Sequence, residues 1–454
     1  MKTAVVNSKS FMTPGYRIDP DVHLSEGVQI RRELHALPFE LSTVGENAEK
    51  VFYGNIFSRI FVKKPEYGMT YLAASDTVLA DLNTGRYLSK TQAKKLDYLT
   101  LKRDWILVTC SGTLGNVTYT NSNFENHIAT HDLIRVIPNN NKVNKGTLYA
   151  FLASKYGYNQ ITQSQFGGVV KHINESQTSS IEIPVLPKSL QLSVGLLIEE
   201  SASLREESTA CLNNAITIFE NRIGRSEFSL DYQYSSISSK SIASKFTRFD
   251  AQYQIGNALL LKEKVELSTI KINSVATKIL VGNRGKREYV ENNGIPFLSS
   301  SDIMLANPLR GCKQIRKNSN NIENMLVSKG DILISRSGTI GNTVIVGDTL
   351  DRVAVSEHAM KLGVDSSKIA PEYVFAYFKT KQGQHSLQIL PYGSVIITLG
   401  EEFLGDVDLP IIPKEDMDNV VDLIKEYVSK NDKAIELENQ AISMVEQEIE
   451  KWNK

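Results

Sequence analysis

Two six-residue stretches are the first candidates for chemistry: Ser111-Gly-Thr-Leu-Gly-Asn116 and Ser337-Gly-Thr-Ile-Gly-Asn342. A serine among glycines suggests either a nucleophile on a sharp turn or a loop that cradles phosphate. A Walker-type loop needs lysine directly after its closing glycine. Asn116 and Asn342 stand there instead. A nucleophile elbow needs glycine two residues before the serine, and those positions hold Thr109 and Ser335. A tight turn after an apolar strand fits both stretches better. His127 and His131 have a spacing that suits a metal, but their counterparts in the second stretch of chain are Val353 and Glu357, so no metal site is expected. Asp76 and Asp302 lie in matching Ser-Asp pairs that read as turn caps rather than acid–base groups. Cys110, Cys211 and Cys312 stand about 100 residues apart, which fits neither a disulfide framework nor a zinc knuckle. Neither an Asn/Asp-Pro-Pro-Tyr motif nor a glycine-rich cofactor loop occurs. No catalytic constellation assembles.

The elements that would position these residues occur twice. A shift of 226 residues lays Glu40-Leu-Ser-Thr43 on Glu266-Leu-Ser-Thr269, Ser75-Asp76 on Ser301-Asp302, and one Ser-Gly-Thr stretch on the other. Gly167 meets Gly393, and Pro184 and Pro187 meet Pro410 and Pro413. A fixed period of this kind marks an internal duplication, with one small compensated slip expected near residues 130–160. Short apolar runs such as Trp105-Ile-Leu-Val-Thr109 and Asp331-Ile-Leu-Ile-Ser335 read as strands between turns. A helix is expected from Pro371 to Lys381.

Each copy closes on Pro-x-x-Pro and then reads as one long helix, from about Lys188 to Gly224 and from about Lys414 to Trp452. Apolar residues recur at 3–4 spacing: Val194, Leu197, Leu204, Leu212 and Phe219 in the first, and Val421, Ile424, Val428, Ile435, Ile442 and Ile449 in the second. Such spacing favours a coiled-coil seam. About 37 residues make a rod of roughly 55 Å. The rods either pack on their own domains or pair as an intramolecular antiparallel coil, and two similar rods in one chain favour the pair.

Across 454 residues, 51 Lys+Arg balance 51 Asp+Glu, which taken whole argues against a nucleic-acid partner. By segment the balance breaks. Residues 1–187 carry +4 and 225–413 carry +3, whereas 188–224 carry −2 and 414–454 carry −5. The excess concentrates in Arg59, Lys63, Lys64, Arg86, Lys90, Lys94 and Lys95, and again in Arg284, Lys286, Arg287, Arg310, Lys313, Arg316 and Lys317. Lys171 joins them as a further candidate. Equivalent basic patches fit two phosphate-backbone footprints, although solvated surface is the commoner origin of such patches. No apolar run approaches the roughly 20 residues of a membrane span. The N-terminus lacks a signal core, so a cytoplasmic, reducing location is expected.

The order of these parts resembles the specificity subunits of type I restriction–modification systems. The resemblance rests on the two globular repeats with proline-marked helices, on Gly330-Asp-Ile-Leu-Ile-Ser-Arg-Ser-Gly-Thr-Ile-Gly341, and on Arg248-Phe-Asp-Ala-Gln-Tyr253. The first copy departs in both: it reads Arg103-Asp-Trp-Ile-Leu-Val-Thr-Cys-Ser-Gly-Thr-Leu-Gly115, and Arg17-Ile-Asp-Pro-Asp21 lacks the tyrosine. The resemblance implies an α+β chain with two mixed α/β target-recognition domains, residues 1–187 and 229–413. Two long antiparallel helices, 188–228 and 414–454, would separate them as an intramolecular coiled coil with pseudo-two-fold symmetry. It implies a non-catalytic subunit that binds double-stranded DNA at a bipartite site and docks two adenine-N6 methyltransferase subunits and ATP-driven restriction subunits. S-adenosylmethionine, ATP and Mg would act through those partners. The specificity portion of a fused methyltransferase-endonuclease is the alternative, and the missing methylation motif counts against it.

Overall fold

The computed structural model describes residues 23–112, 114–163, 171–224, 239, 248, 250–251, 253–256, 267–282, 287–318, 322–393 and 397–452. They fall into two units, one of residues 1–206 with 433–454 and one of residues 207–432.

In the first unit the run Ile106–Thr109 (β6) is buried along its whole length. Its neighbours are β2 (Ala48–Phe52), β7 (Val117–Tyr119) and β9 (Leu133–Pro138), in the antiparallel order β2-β9-β6-β7. Successive side chains of a strand point to opposite faces. Ile106 and Val108 therefore enter the core that α1 (Glu26–His35), α2 (Lys145–Ala153) and α3 (Lys155–Gln163) close, while Leu107 enters a smaller core with Trp105, Leu101 and Phe124. Burial on both faces explains why the run is continuously apolar rather than alternating. A second sheet, β3-β5-β4-β8, is built from β3 (Phe61–Val62), β4 (Gly68–Leu72), β5 (Tyr87–Ser89) and β8 (Ile128–Ala129), with β4 and β8 parallel. A two-stranded pair, β1 (Leu41–Thr43) with β10 (Glu182–Pro184), closes the unit.

The second unit repeats this plan. Strands β11 (Thr269–Lys271) and β20 (Asp408–Pro410) pair, and two separate four-stranded sheets run in the orders β12-β19-β16-β17 and β13-β15-β14-β18. The strands concerned are β12 (Ala276–Val281), β13 (Tyr289–Val290), β14 (Ile295–Leu298), β15 (Lys313–Ile315), β16 (Ile332–Ser335), β17 (Thr343–Ile345), β18 (Ala354–Val355) and β19 (Ala359–Val364). Strand β9 maps on β19 and α2 on the helix Pro371–Lys379 at the 226-residue shift, so no slip lies near residues 130–160. It lies earlier. Ala48 pairs with Pro138 as Ala276 pairs with Val364, each beside a bulge, a shift of 228. The helix expected from Pro371 to Lys381 also divides. It ends at Lys379, and Thr380, in extended backbone, caps a second helix, Lys381–Gln388, by accepting from Gly383 N.

The long helices are observed as α4 (Lys188–Ile223) and α5 (Lys414–Trp452). Within each unit, half of one packs antiparallel on half of the other. In the first unit Val194 and Ile198 share a core with Ala441, Ile442, Val445 and Ile449, and Ser201 Oγ donates to Ala434 O at 2.8 Å. In the second, Leu212, Phe219 and Ile223 pack with Val420 and Ile424, and Ser208 Oγ donates to Tyr427 O at 3.1 Å. Leu197, Leu204, Val421 and Val428 are half-buried, and Ile435 is buried. Gly195 lies inside the first rod, which runs on unbroken, at the point where the rod meets Gly146. A Cβ on Gly146 would lie 2.7 Å from the Cα of Gly195, so the two helices touch backbone to backbone.

Candidate nucleic-acid interface

The described residues of both stretches, Ser111, Gly112 and 114–116 in the first and 337–342 in the second, lie between the strands of the central hairpins. Gly112, Gly115, Gly338 and Gly341 all have positive φ. Thr109 N donates to Asn116 O at 3.0 Å and Ser335 N to Asn342 O at 2.9 Å. The Ser-Asp pairs are caps: Asp76 Oδ2 accepts from Ala73 N at 2.6 Å, and Asp302 Oδ2 from Ser299 N at 2.8 Å. His127 Nδ1 lies on the Glu125 carbonyl at 2.9 Å and His131 Nε2 lies 3.4 Å from Asp132. Burial pushes the Cys110 thiol up to about 12, which leaves it an inert thiol at neutral pH.

The basic residues of the first copy gather on the small sheet. Pairing of β3 with β5 sets Val62 opposite Tyr87, which brings Lys63 and Lys64, at the end of β3, onto the strand that Arg86 precedes and Lys90 follows. Ser89 caps the helix Lys90–Lys95 by accepting from Gln92 N. Its last turn holds Lys94 and Lys95, where positive charge suits the helix dipole. Lys63, Lys64, Lys90, Lys94 and Lys95 are exposed. The two arginines are held. Arg59 Nε donates to Tyr71 OH at 2.6 Å, Arg86 pairs with Asp76, and both guanidiniums lie within 6 Å of the Tyr71 ring.

In the second copy Lys313 and Lys317 are exposed, and the Lys313 ammonium lies 5.2 Å from the centre of the Tyr289 ring. Arg287 pairs with Glu357, and Arg316 with Glu288 at 3.0 Å. Arg310 and Lys171 are half-buried. Arg284 and Lys286 lie outside the described residues. An open cavity of about 440 Å³ on this sheet is lined by Tyr289, Val290, Glu291, Cys312, Lys313 and Gln314.

Sequence reasoning missed the apolar side chains that share the first lobe. Tyr53, Ile56, Ile60, Phe61, Tyr67 and Tyr98 are all exposed large hydrophobics. Apolar residues interleaved with Arg59, Lys63 and Lys64 from Tyr53 to Tyr67 were the available signal. A basic surface carrying exposed rings and aliphatics can neutralise phosphates while also offering contacts to bases.

The Arg248-Phe-Asp-Ala-Gln-Tyr253 segment has a different job. Arg248 is buried, bonds both carboxylate oxygens of Asp250 at 2.7 and 2.9 Å, donates to Pro391 O at 2.8 Å, and lies 4.4 Å from the Tyr253 ring centre. It ties the head of the second copy to the segment after Gln388. The first-copy counterpart at Arg17 lies outside the described residues.

The sequence matches the family model of the type I restriction modification DNA specificity domain twice, over residues 39–191 and 263–447. Among solved structures it is similar to the S subunit of a type I restriction–modification system from M. genitalium, at 15% identity and TM-score 0.30 over 92% of this chain and 93% of that one. It is also similar to the HsdS subunit from Thermoanaerobacter tengcongensis, at 13% identity and TM-score 0.29 over 90% and 97%. No curated protein matches the sequence.

Proposed function

Because this chain belongs to the family of type I restriction–modification DNA specificity subunits, we propose that it reads a bipartite, asymmetric site on double-stranded DNA. Residues 1–187 and 229–413 are the two target-recognition domains, each taking one half-site. The observation that carries this reading is the repetition of one lobe, the small sheet with its exposed lysines, with different exposed side chains in each copy. One docking geometry with two sets of base contacts yields two unlike half-sites. Lysines such as Lys63, Lys64, Lys94, Lys95, Lys313 and Lys317 fix register on phosphates, while base edges are read by the side chains between them. Each good base contact is worth roughly 1–3 kcal/mol of discrimination.

The chain does no catalysis of its own. The rods, 188–228 and 414–454, hold two adenine-N6 methyltransferase subunits, which bring S-adenosylmethionine, and restriction subunits, which use ATP and Mg. Acidic rods suit docking to proteins and repel the duplex. The test is to co-produce the chain with its modification subunit and map methylated adenines genome-wide. Exchanging residues 1–187 for another recognition domain should change one half of the motif and leave the other half intact. A motif unchanged by the exchange, or no bipartite motif at all, would refute the reading.

A further inference from the structure

The loop from Tyr53 to Ile60 has no regular secondary structure, yet it is pinned along its length. Gly54 N donates to His131 O at 3.4 Å, and Asn55 N to Tyr98 OH at 3.4 Å. Gln92 holds the far end from two sides: its Oε1 accepts from Ile60 N at 2.8 Å and its Nε2 donates to Ser58 O. Ser89 N donates to Ile60 O at 2.9 Å, and Arg59 is tied to Tyr71. Phe57 anchors the middle, packing inward on the core under the small sheet with its ring 5.9 Å from that of His131. A Cβ at Gly54 would meet Leu99 at 2.8 Å and the backbone of His131 at 3.1 Å, so only glycine lets the loop lie this close.

From this frame Ile56 projects 86% exposed. A lone exposed aliphatic needs no explanation. This one stands on a fixed loop, with Ile60 and Phe61 also exposed, in the lobe whose surface lysines make it the basic part of the chain. An apolar side chain carried on a hydrogen-bonded backbone leaves less of the loop to be ordered on binding. The apolar feature that a DNA duplex offers in its major groove is the thymine methyl group.

We propose that Ile56 is a specificity-determining residue that packs on a thymine methyl in the half-site taken by the first recognition domain. This rests on the DNA-specificity reading above. The repeat supports it by contrast. Gly54-Asn55-Ile56 corresponds, at the 228-residue shift of β2 on β12, to Gly282-Asn283-Arg284. Gly54 lies against His131, and Gly282 against its counterpart Glu357. In the sequence register of the repeat an aliphatic in one copy thus corresponds to an arginine in the other, the residue type whose preferred base contact is guanine. The two copies would then favour different bases from corresponding positions of the repeat.

The experiment uses the complex with the modification subunit and duplexes carrying the motif found by methylation mapping. Thymines of the first half-site are replaced by uracil, which removes the methyl and keeps the pairing. Uracil should weaken binding of the native complex about four-fold, the worth of one buried methyl group. Ile56→Ala should weaken binding to the thymine duplex by a similar factor and be indifferent to uracil. Ile56→Arg should shift the methylated motif toward guanine at that position. Equal uracil effects in the native and Ile56→Ala complexes would overturn the assignment. So would an Ile56→Ala loss with no uracil effect at all, which would make the side chain a wedge between base pairs. Failure of the DNA reading itself looks different: the native complex would then bind without salt dependence and methylate no bipartite motif.

Discussion

Arg135 and Lys361 carry charge where water does not reach. They occupy equivalent positions on β9 and β19, and both are buried. No carboxylate among the described residues pairs with Arg135. Its guanidinium donates instead to the carbonyls of Leu133, Leu99, Ala129 and Thr130 at 2.9–3.3 Å, which ties the large sheet to the small one. Burial lowers its pKa to about 10, so it stays protonated at neutral pH. Lys361 does the same with the carbonyls of Asn324 and Leu326, and burial lowers its pKa too. A buried acceptor left without a donor costs about 1–3 kcal/mol. Arg135→Met should therefore cost well over 3 kcal/mol in urea unfolding, while Arg135→Lys, which copies the second unit, should recover a large part. Equal losses for the two would show that the carbonyl bonds are not what holds the sheets. Sequence patterning places Arg135 on a strand but not its charge in a core, because periodicity reports a face and not what lies across it. The clamp at Arg248 adds a pH dependence. Burial alone would raise the Asp250 carboxyl, but hydrogen bonds from Arg248 and from Tyr253 N outweigh it and hold the group below its ordinary range. A carboxyl depressed in the folded state stabilises above the unfolded value, near 3.9, and that stability is lost as pH falls through the folded value. The melting-temperature gap between native protein and Asp250→Asn should be full above about pH 4 and close below it.

The rods show how far a hydrophobic repeat can be read. Their ends fall within a residue of the bounds read from the apolar spacing, Lys188 to Gly224 and Lys414 to Trp452, whereas 225–228 and 453–454 of the wider spans lie outside the described residues; their seam residues are buried or half-buried. A repeat of 3–4 does not reveal a polar residue in the seam. Glu438 is 2% exposed, paired with Arg205 at 2.5 Å and bonded by Tyr149 OH. The equivalent positions in the second unit are Leu212, Asn431 and Phe375, and Phe375 stacks on Tyr427 with ring centres 5.8 Å apart. One unit thus solves with a polar triad what the other solves with packing. Breaking a buried ion pair by removing one partner strands the other and costs about 3–5 kcal/mol, whereas replacing the whole group by well-packed apolar residues is often neutral or stabilising. Arg205→Ala should lower unfolding stability by that amount. The triple change Tyr149→Phe, Glu438→Leu and Arg205→Asn, which copies the second unit, should match or exceed native stability in the same urea titration. A triple variant as weak as the single one would show that the triad is not interchangeable with the packing of its repeat.

At the scale of the whole chain, the balance of 51 against 51 charges conceals a division of labour. That division was legible because charge counts need only the sequence and the repeat boundary. Which arginines are tied to carboxylates was not, since Arg86 and Arg287 find their partners, Asp76 and Glu357, through the fold. If the heads meet phosphate and the rods do not, binding should follow local charge and ignore the net. Each phosphate neutralised contributes about 0.9 to the slope of log K against log salt. Replacing the exposed Lys63, Lys64, Lys94 and Lys95 by alanine should therefore flatten the slope by up to about 3.6 for the complex on its motif. Replacing the exposed rod carboxylates Asp418, Asp422 and Glu436 by their amides makes the net charge positive, which would strengthen binding if net charge governed. The slope should instead stay as it was. Equal and opposite shifts from the two sets would mean that DNA senses the overall field, and the separation of basic heads from acidic rods would then have no part in recognition.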